Sequence, residues 1–144
     1  MKKSIFLSTA IFAIFLFLDS NAQSVDDFIV IVNNDVSEGS LNSAELRRIY
    51  FGFTPKWKGQ RKIRISYERI EDQSFWKLLS TTKSDFNRFW DKRERSDNGL
   101  KPVVLSNAES VIDYVSNTEG AIGIIQKSSF EKIGNECKRI DLIY

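Results

Sequence analysis

The chain has 144 residues with 21 basic and 19 acidic side chains, so its net charge at pH 7 is only +2. This balance does not predict the strong positive field with which proteins attract nucleic acid or anionic membranes. The sequence has one cysteine and no histidine, which excludes an internal disulfide, Ser-His-Asp and Cys-His catalysis, and the commonest zinc sites. We therefore expect no enzymatic activity, no cofactor and no metal site, and we interpret Cys137 as a buried apolar residue rather than a reactive thiol.

The first 22 residues have the pattern of a secretory signal peptide. Two lysines precede an apolar run from Ile5 to Leu18, and small residues stand at Ser20 and Ala22, where a signal peptidase requires them. The run is about 14 residues long, short of the roughly 20 that span a bilayer, so an uncleaved anchor is the weaker alternative. We expect cleavage after Ala22 and a periplasmic or secreted protein without membrane insertion, with a single domain over residues 23–144.

The first predicted elements are a strand and a helix. Residues 28–32 form a continuous apolar run, which is typical of a strand covered on both faces. After a turn region at 33–40, Asn42 and Glu45 have the spacing of a capping box, in which each side chain accepts from the other residue's backbone amide. The inward face of this helix and its left-handed end are predicted at Leu46, Ile49, Tyr50 and Gly52.

Polar and apolar residues alternate over 63–68, which predicts a second strand with one polar face. Helical periodicity follows over 73–80 and 85–95. The two helices have an aromatic face, which we interpret as core rather than as a dimer interface, although a second copy of the chain is the alternative. This face consists of Phe75 and Trp76 in the first helix and Phe86, Phe89 and Trp90 in the second, with Arg93 one turn further.

The remainder of the chain repeats the pattern. A turn is predicted at 97–99 and a strand at 102–105, and a capping box at Ser106 and Glu109 then begins a helix that ends at Gly120. Strands at 121–125 and 138–143 flank a short helix near 129–133. Strands that are separated by helices predict an α/β fold, a three-layer sandwich with a mostly parallel sheet.

Four stretches, in this order and spacing, resemble the short, single-lobe members of the phosphate ABC transporter substrate-binding protein-like family. They are "IVIVNN", "LNSAELRRIYFGFTPKWKGQRKI", "FNRFWDKRERSDNGLKPVV" and "ESVIDYVSNTEGAIGII". The resemblance covers about residues 27–126, and it implies one lobe of a type 2 periplasmic-binding-protein-like fold. It also implies that Trp57 anchors the loop that follows the first helix.

The resemblance implies a ligand site after the second strand. Full-length relatives present an arginine, an acidic residue and a Ser-Gly-Thr turn at a helix N-terminus, where backbone amides receive an oxyanion. Here Asp72 interrupts that turn, and we expect it to cap the helix itself. The expected ligand is phosphate or a similar oxyanion, and the candidate ligand-binding residues are Arg69, Glu71, Gln73 and Ser74.

Two features weaken this expectation. A single lobe offers only a half-site without closure, so binding is expected to be weak. Arg69 has an alternative role in a surface ion pair with Glu68 or Glu71.

The resemblance also leaves open whether a transporter is involved.

The second hypothesis is an envelope protein-protein interaction module that has kept the lobe and lost its ligand. Loops that combine aromatic and basic residues are common at interfaces, and here Trp57 stands between Lys56 and Lys58. These three are the candidate partner-binding residues. The alternative is a half-buried ring with solvated neighbours.

Overall fold

The computed structural model of the chain describes residues 24–96 and 101–144. The predicted signal peptide and the predicted turn at 97–99 therefore lie outside the described residues. Six strands and four α-helices occur in the described ranges. In chain order they are β1 (Phe28–Asn33), β2 (Ser40–Asn42), α1 (Ser43–Tyr50), β3 (Arg64–Glu68), α2 (Gln73–Leu78), α3 (Lys83–Ser96), β4 (Val103–Leu105), α4 (Ala108–Asn117), β5 (Ala121–Gln126) and β6 (Cys137–Ile143). Short 3-10 turns cover Val25–Asp27 and Lys127–Lys132.

The strands form one sheet in the order β2-β6-β1-β5-β3-β4. Three neighbouring pairs are parallel, namely β2 with β6, β5 with β3, and β3 with β4. Strand β1 runs antiparallel to both of its neighbours, β5 and β6. The sheet is therefore mostly parallel, as predicted, with an antiparallel strand at its centre.

Alternate residues of β1 belong to two separate cores, because successive side chains of a strand point to opposite faces. Val30 packs in the core that also holds buried residues of α1, α2 and α3. Ile31 packs in the core that holds buried residues of α4. Helices thus cover both faces of the sheet, which confirms the predicted three-layer sandwich.

Helix α1 begins and ends as its sequence predicts. The Asn42 side chain accepts from the Glu45 amide, and the Glu45 carboxylate accepts from the Asn42 amide, both over 2.9 Å. Gly52 then adopts a left-handed φ of 68°, which glycine reaches without steric cost.

None of the helices in the described ranges is long and apolar enough to cross a membrane.

Helix α4 lies very close to the sheet at Gly123. A Cβ atom at this position would lie 2.5 Å from Val111 Cγ1 and 3.0 Å from Val115 Cγ2. The neighbouring strand meets the same helix with Ser66, which is fully buried and donates its hydroxyl to the Ile122 carbonyl oxygen over 2.9 Å. Small residues on β5 and β3 therefore allow α4 to approach.

Several sequence expectations require correction. The predicted turn region at 33–40 overlaps the start of β2, a strand that the sequence analysis did not predict. This strand has only three residues, too few to show the alternation of apolar and polar side chains by which strands are predicted. The N-cap of α4 is Asn107, which accepts from the Ser110 amide over 2.8 Å, and not Ser106. The second strand has the predicted polar face, but α4 covers this face at Ser66.

Cys137 is buried at the start of β6, as predicted. Burial, with a smaller contribution from the negative charge of Glu136, raises the pKa of the thiol to about 11. The thiol is therefore protonated at neutral pH, and only the thiolate is nucleophilic.

Candidate functional site

The predicted ligand-binding residues lie along the turn from β3 to α2. The Arg69 amide donates to the Leu105 carbonyl oxygen over 2.8 Å, which ties the beginning of this turn to the end of β4. Arg69, Glu71 and Gln73 are exposed, whereas Ser74 is 5% exposed. The structure thus places three of the four side chains at the surface and the fourth in the interior.

Asp72 caps α2, as its position predicts. Its Oδ1 accepts from the Ser74 amide over 2.7 Å and from the Ser74 hydroxyl. These hydrogen bonds, first from the hydroxyl and then from the amide, lower the pKa of Asp72 below its ordinary value. An ionised carboxylate therefore takes the Ser74 donors that a bound oxyanion would need.

Glu71 pairs with a lysine that the sequence analysis did not consider. Lys83 Nζ, at the start of α3, lies 2.6 Å from Glu71 Oε2. The hydrogen bond and then the charge of this ammonium group lower the pKa of Glu71, and the charge of Arg69 adds a smaller effect. Because both groups are largely exposed, this ion pair contributes little to stability.

Arg69 does not form the surface ion pair with Glu68 or Glu71 that was the alternative to a role in ligand binding. Glu71 is held by Lys83, and Glu68 instead accepts from the Gln126 amide over 3.1 Å. Burial raises the pKa of the neighbouring Tyr67 to about 12, against the opposing charge of Arg69. Arg69 is therefore an exposed cation whose backbone is fixed.

A cleft with a volume of about 410 Å³ lies beside Glu71 and Gln73, between α2 and the beginning of α3. Its other lining residues were not predicted and include Trp76, Lys77, Thr81, Thr82 and Lys83. The Thr82 hydroxyl accepts from the Asp85 amide over 3.1 Å, so Thr82 caps α3. That three-residue spacing is a signal in the sequence from which this end of the cleft could have been inferred.

The predicted partner-binding residues differ in exposure. Lys56 and Lys58 are exposed, but Trp57 is 5% exposed and its indole Nε1–H donates to the Gly120 carbonyl oxygen over 2.9 Å. Trp57 therefore anchors the loop, as expected, with its ring buried rather than half-buried. Lys56 and Lys58 therefore belong to the solvated surface of this loop, whereas Trp57 does not.

The exposed aromatic residue near this loop is Phe53, which sequence analysis did not select. It is 52% exposed, stacks on Phe51 and meets the Phe89 ring edge-on at 5.6 Å between centroids. The Arg93 guanidinium lies 5.7 Å from the Phe53 ring centroid. Phe86 and Trp90, on the same helix as Phe89, are buried, which confirms that most of the aromatic face is core.

No model of a protein family and no curated protein matches the sequence. Solved structures do match the fold. One is a Clostridium perfringens protein described as a phosphate ABC transporter substrate-binding protein with bound phosphate, with a TM-score of 0.62 and 13% identity; the match covers 81% of this chain and 44% of that one.

Two further structures match to a similar extent. An ABC-type phosphate transport receptor from Vibrio cholerae has a TM-score of 0.60 and 20% identity, over 81% of this chain and 46% of that one. PstS from Borrelia burgdorferi has a TM-score of 0.60 and 15% identity, and the match covers 81% of this chain and 47% of that one. The chain therefore has the fold of phosphate ABC transporter substrate-binding proteins, as the resemblance implied, and spans just under half the length of these structures.

Proposed function

We propose that the chain is a solute-binding module that binds phosphate or a similar oxyanion weakly at the turn between β3 and α2. The observation that carries this proposal is Arg69, an exposed guanidinium on a backbone that is hydrogen-bonded to β4. A guanidinium offers paired N–H donors that match the geometry of an oxyanion. Gln73, exposed at the first position of α2, adds a side-chain amide.

The two carboxylates of the turn limit the affinity and select the anion. Glu71 and Asp72 both have lowered pKa values, so both are ionised at neutral pH and repel an anion. A carboxylate only accepts hydrogen bonds. Hydrogen phosphate keeps a proton that it can donate to a carboxylate, whereas sulfate has none at neutral pH. We therefore expect phosphate to bind in preference to sulfate.

Thermal unfolding in the presence of phosphate tests this function. With a Kd of about 1 mM, about 20 mM phosphate would stabilise the native state by about 1.8 kcal/mol, because only the folded chain has the site. Arg69→Ala should remove most of this gain. Arg88→Ala is the matched control, since Arg88 is an exposed arginine that pairs with Asp85 on α3. If phosphate leaves the midpoint unchanged, or acts equally on both variants, the proposal is wrong.

A protein-protein interaction module is the second candidate function, and Phe53 is the observation that favours it. Exposed aromatic rings with adjacent arginines are enriched at interfaces, and Arg93 lies against Phe53. Since Trp57 is buried, its substitution would test folding rather than binding. Phe53→Ser and Lys58→Glu are the informative variants, because both side chains are exposed. Loss of cross-linking to an envelope protein in both would support this function, and unchanged cross-linking would oppose it.

Export is proposed together with either function. Cleavage after Ala22 would leave Gln23 as the first residue of the mature chain. Mass spectrometry of the protein from a periplasmic fraction tests this directly, because retention of the first 22 residues would give the full-length mass.

A further inference from the structure

Three phenylalanine rings form a cluster that reaches the surface at the C-terminal end of α1. Phe51 is 5% exposed, Phe89 is partly buried and Phe53 is 52% exposed. The ring centroids are 6.3 Å apart for Phe51 and Phe53, 4.9 Å for Phe51 and Phe89, and 5.6 Å for Phe53 and Phe89. This phenylalanine cluster therefore leads from the core to the solvent, and the other two rings hold Phe53 in place.

Two arginines lie against the phenylalanine cluster, and their guanidinium groups differ in what they bind. Arg93 donates to the Phe51 carbonyl oxygen over 3.0 Å and to the Gly52 carbonyl oxygen over 3.1 Å. The guanidinium carbon of Arg47 lies 4.3 Å from the centroid of the Phe51 ring. Within the described ranges, no hydrogen bond or ion pair joins the Arg47 side chain to another residue. Arg47 therefore rests on an aromatic ring and keeps its N–H donors for solvent or a ligand.

An open groove of about 660 Å³ runs beside the phenylalanine cluster, between α1 and the turn from α2 to α3. Arg47, Phe51, Lys77 and Phe89 are among its lining residues. Asp85 is the one carboxylate among the described lining residues, and it pairs with Arg88 over 3.2 Å. The groove thus combines aromatic rings with an excess of positive charge.

This composition indicates the kind of ligand. Aromatic residues and arginine are enriched at the centres of protein interfaces, and charge complementarity selects an acidic partner here. The groove is open to solvent, so it does not enclose a small molecule as most ligand pockets do. A second copy of the chain is disfavoured, because a twofold axis through this surface would bring the same cations together.

We propose that the groove and the phenylalanine cluster bind an acidic segment of a partner protein. A carboxylate of the segment accepts from Arg47, since a guanidinium offers paired donors that match a carboxylate. A second carboxylate faces Lys77, and an apolar side chain of the segment packs on Phe53. The proposal rests on the second candidate function, the interaction module, and it names the chemistry of the partner. The oxyanion site is separate, because neither Arg69 nor Gln73 lines the groove.

Fluorescence anisotropy with three labelled, end-blocked hexapeptides tests the proposal. The first alternates glutamate with leucine, the second glutamate with serine, and the third lysine with leucine. The protein is titrated to about 1 mM, a range that detects submillimolar affinity. We expect saturable binding of the glutamate-leucine peptide. The glutamate-serine peptide should bind at least about fivefold more weakly, because it has no apolar side chain for Phe53, and the lysine-leucine peptide should not bind.

Variants then assign the binding to the groove. Arg47→Ala should weaken binding of the glutamate-leucine peptide about tenfold, and Phe53→Ser about fivefold. Arg48→Ala is the matched control, because Arg48 is an exposed arginine at the next position of α1 and does not line the groove. Arg48→Ala and Arg69→Ala should each change the affinity by less than about twofold. Unchanged midpoints of thermal unfolding verify that the variants are folded.

The alternatives give different results. The proposal is overturned if the glutamate-leucine peptide does not bind, if the glutamate-serine peptide binds equally well, or if Arg48→Ala weakens binding as much as Arg47→Ala. Binding to phosphatidylglycerol vesicles in place of the peptide, lost in Phe53→Ser, would assign the surface to lipid. Self-association lost in the same variant would assign it to a second copy.

The experiment also separates this proposal from the functions on which it builds. Cross-linking to an envelope protein that depends on Phe53 but not on Arg47, without peptide binding, would uphold the interaction module and reject the acidic segment. Stabilisation by inorganic phosphate that depends on Arg69 concerns the oxyanion site alone, so it is measured independently in the Arg47→Ala variant.

Discussion

The Trp57 indole and the Gly120 carbonyl oxygen are joined by a 2.9 Å hydrogen bond between residues 63 positions apart in the sequence. The same oxygen also accepts from the Arg64 amide over 3.2 Å. This bond fixes the loop after α1 to the beginning of β5. The loop is therefore anchored by a buried side chain, although its lysines are exposed.

Two replacements of Trp57 should distinguish the contribution of its hydrogen bond to stability from the contribution of its ring packing. Trp57→Phe should lower the free energy of unfolding by about 1 kcal/mol, because the Gly120 oxygen keeps its bond to Arg64. Trp57→Ala should cost about 3–5 kcal/mol, since it also leaves a large cavity. Urea unfolding measures both values, and Lys58→Ala, an exposed neighbour, should stay within about 0.5 kcal/mol. Equal losses in Trp57→Phe and Trp57→Ala would contradict this account.

The contact between Gly123 and α4 gives a second prediction. Gly123→Ala places a methyl group 2.5 Å from Val111 Cγ1, and we expect it to destabilise the protein by about 1–3 kcal/mol through overpacking. Gly59→Ala is the matched control, because a Cβ atom there meets nothing within 4 Å. Both are compared by chemical denaturation.

A double variant tests the cause of that loss. If the clash with Val111 is responsible, Gly123→Ala combined with Val111→Ala should be less destabilised than the sum of the two single changes. Simple additivity would show instead that the methyl group acts through another neighbour.

Local features of the sequence predicted local structure well. The capping box of α1 and the Asp72 cap of α2 depend on side chains within three residues of the amides they bind, so their spacing is visible in the sequence. The direction of β1 relative to its neighbouring strands is not a local feature of this kind, because an apolar run has the same pattern in parallel and antiparallel pairs. Its two antiparallel neighbours therefore could not be predicted.

The candidate site was predicted only in part for the same reason. Arg69 and Glu71 were selected because the resemblance implies a ligand site after the second strand, but the pairing of Glu71 with Lys83 joins residues 12 positions apart. That pairing depends on the turn between α2 and α3, where Ser80 adopts a φ of 51°. A serine rarely takes this conformation, so the sequence indicated the start of α3 through Thr82 and Asp85 but not the shape of the turn that brings Lys83 to Glu71.

Cys137 should react very slowly in the native protein. Its pKa of about 11 and its burial keep the thiol protonated and inaccessible, and the thiolate is the reactive form. Labelling with iodoacetamide near pH 8, about three units below that pKa, should be at least about a hundredfold slower than in urea, as followed by mass. Comparable rates in the two conditions would show that β6 opens readily.

The Asp72 cap should make stability depend on pH in a defined direction. Hydrogen bonds from the Ser74 hydroxyl and amide lower the pKa of this carboxyl below its ordinary value in the folded chain. A lowered pKa stabilises the folded state above the ordinary value, and this contribution is lost as the pH falls through the folded value. Asp72→Asn keeps an acceptor at the N-cap but removes the charge. Its deficit in unfolding free energy, measured by urea titration, should therefore be present near pH 6 and shrink as the pH falls below the ordinary pKa of an aspartate and through the lowered folded value. A deficit that stays constant over this range would mean that the charge of Asp72 does not strengthen the cap.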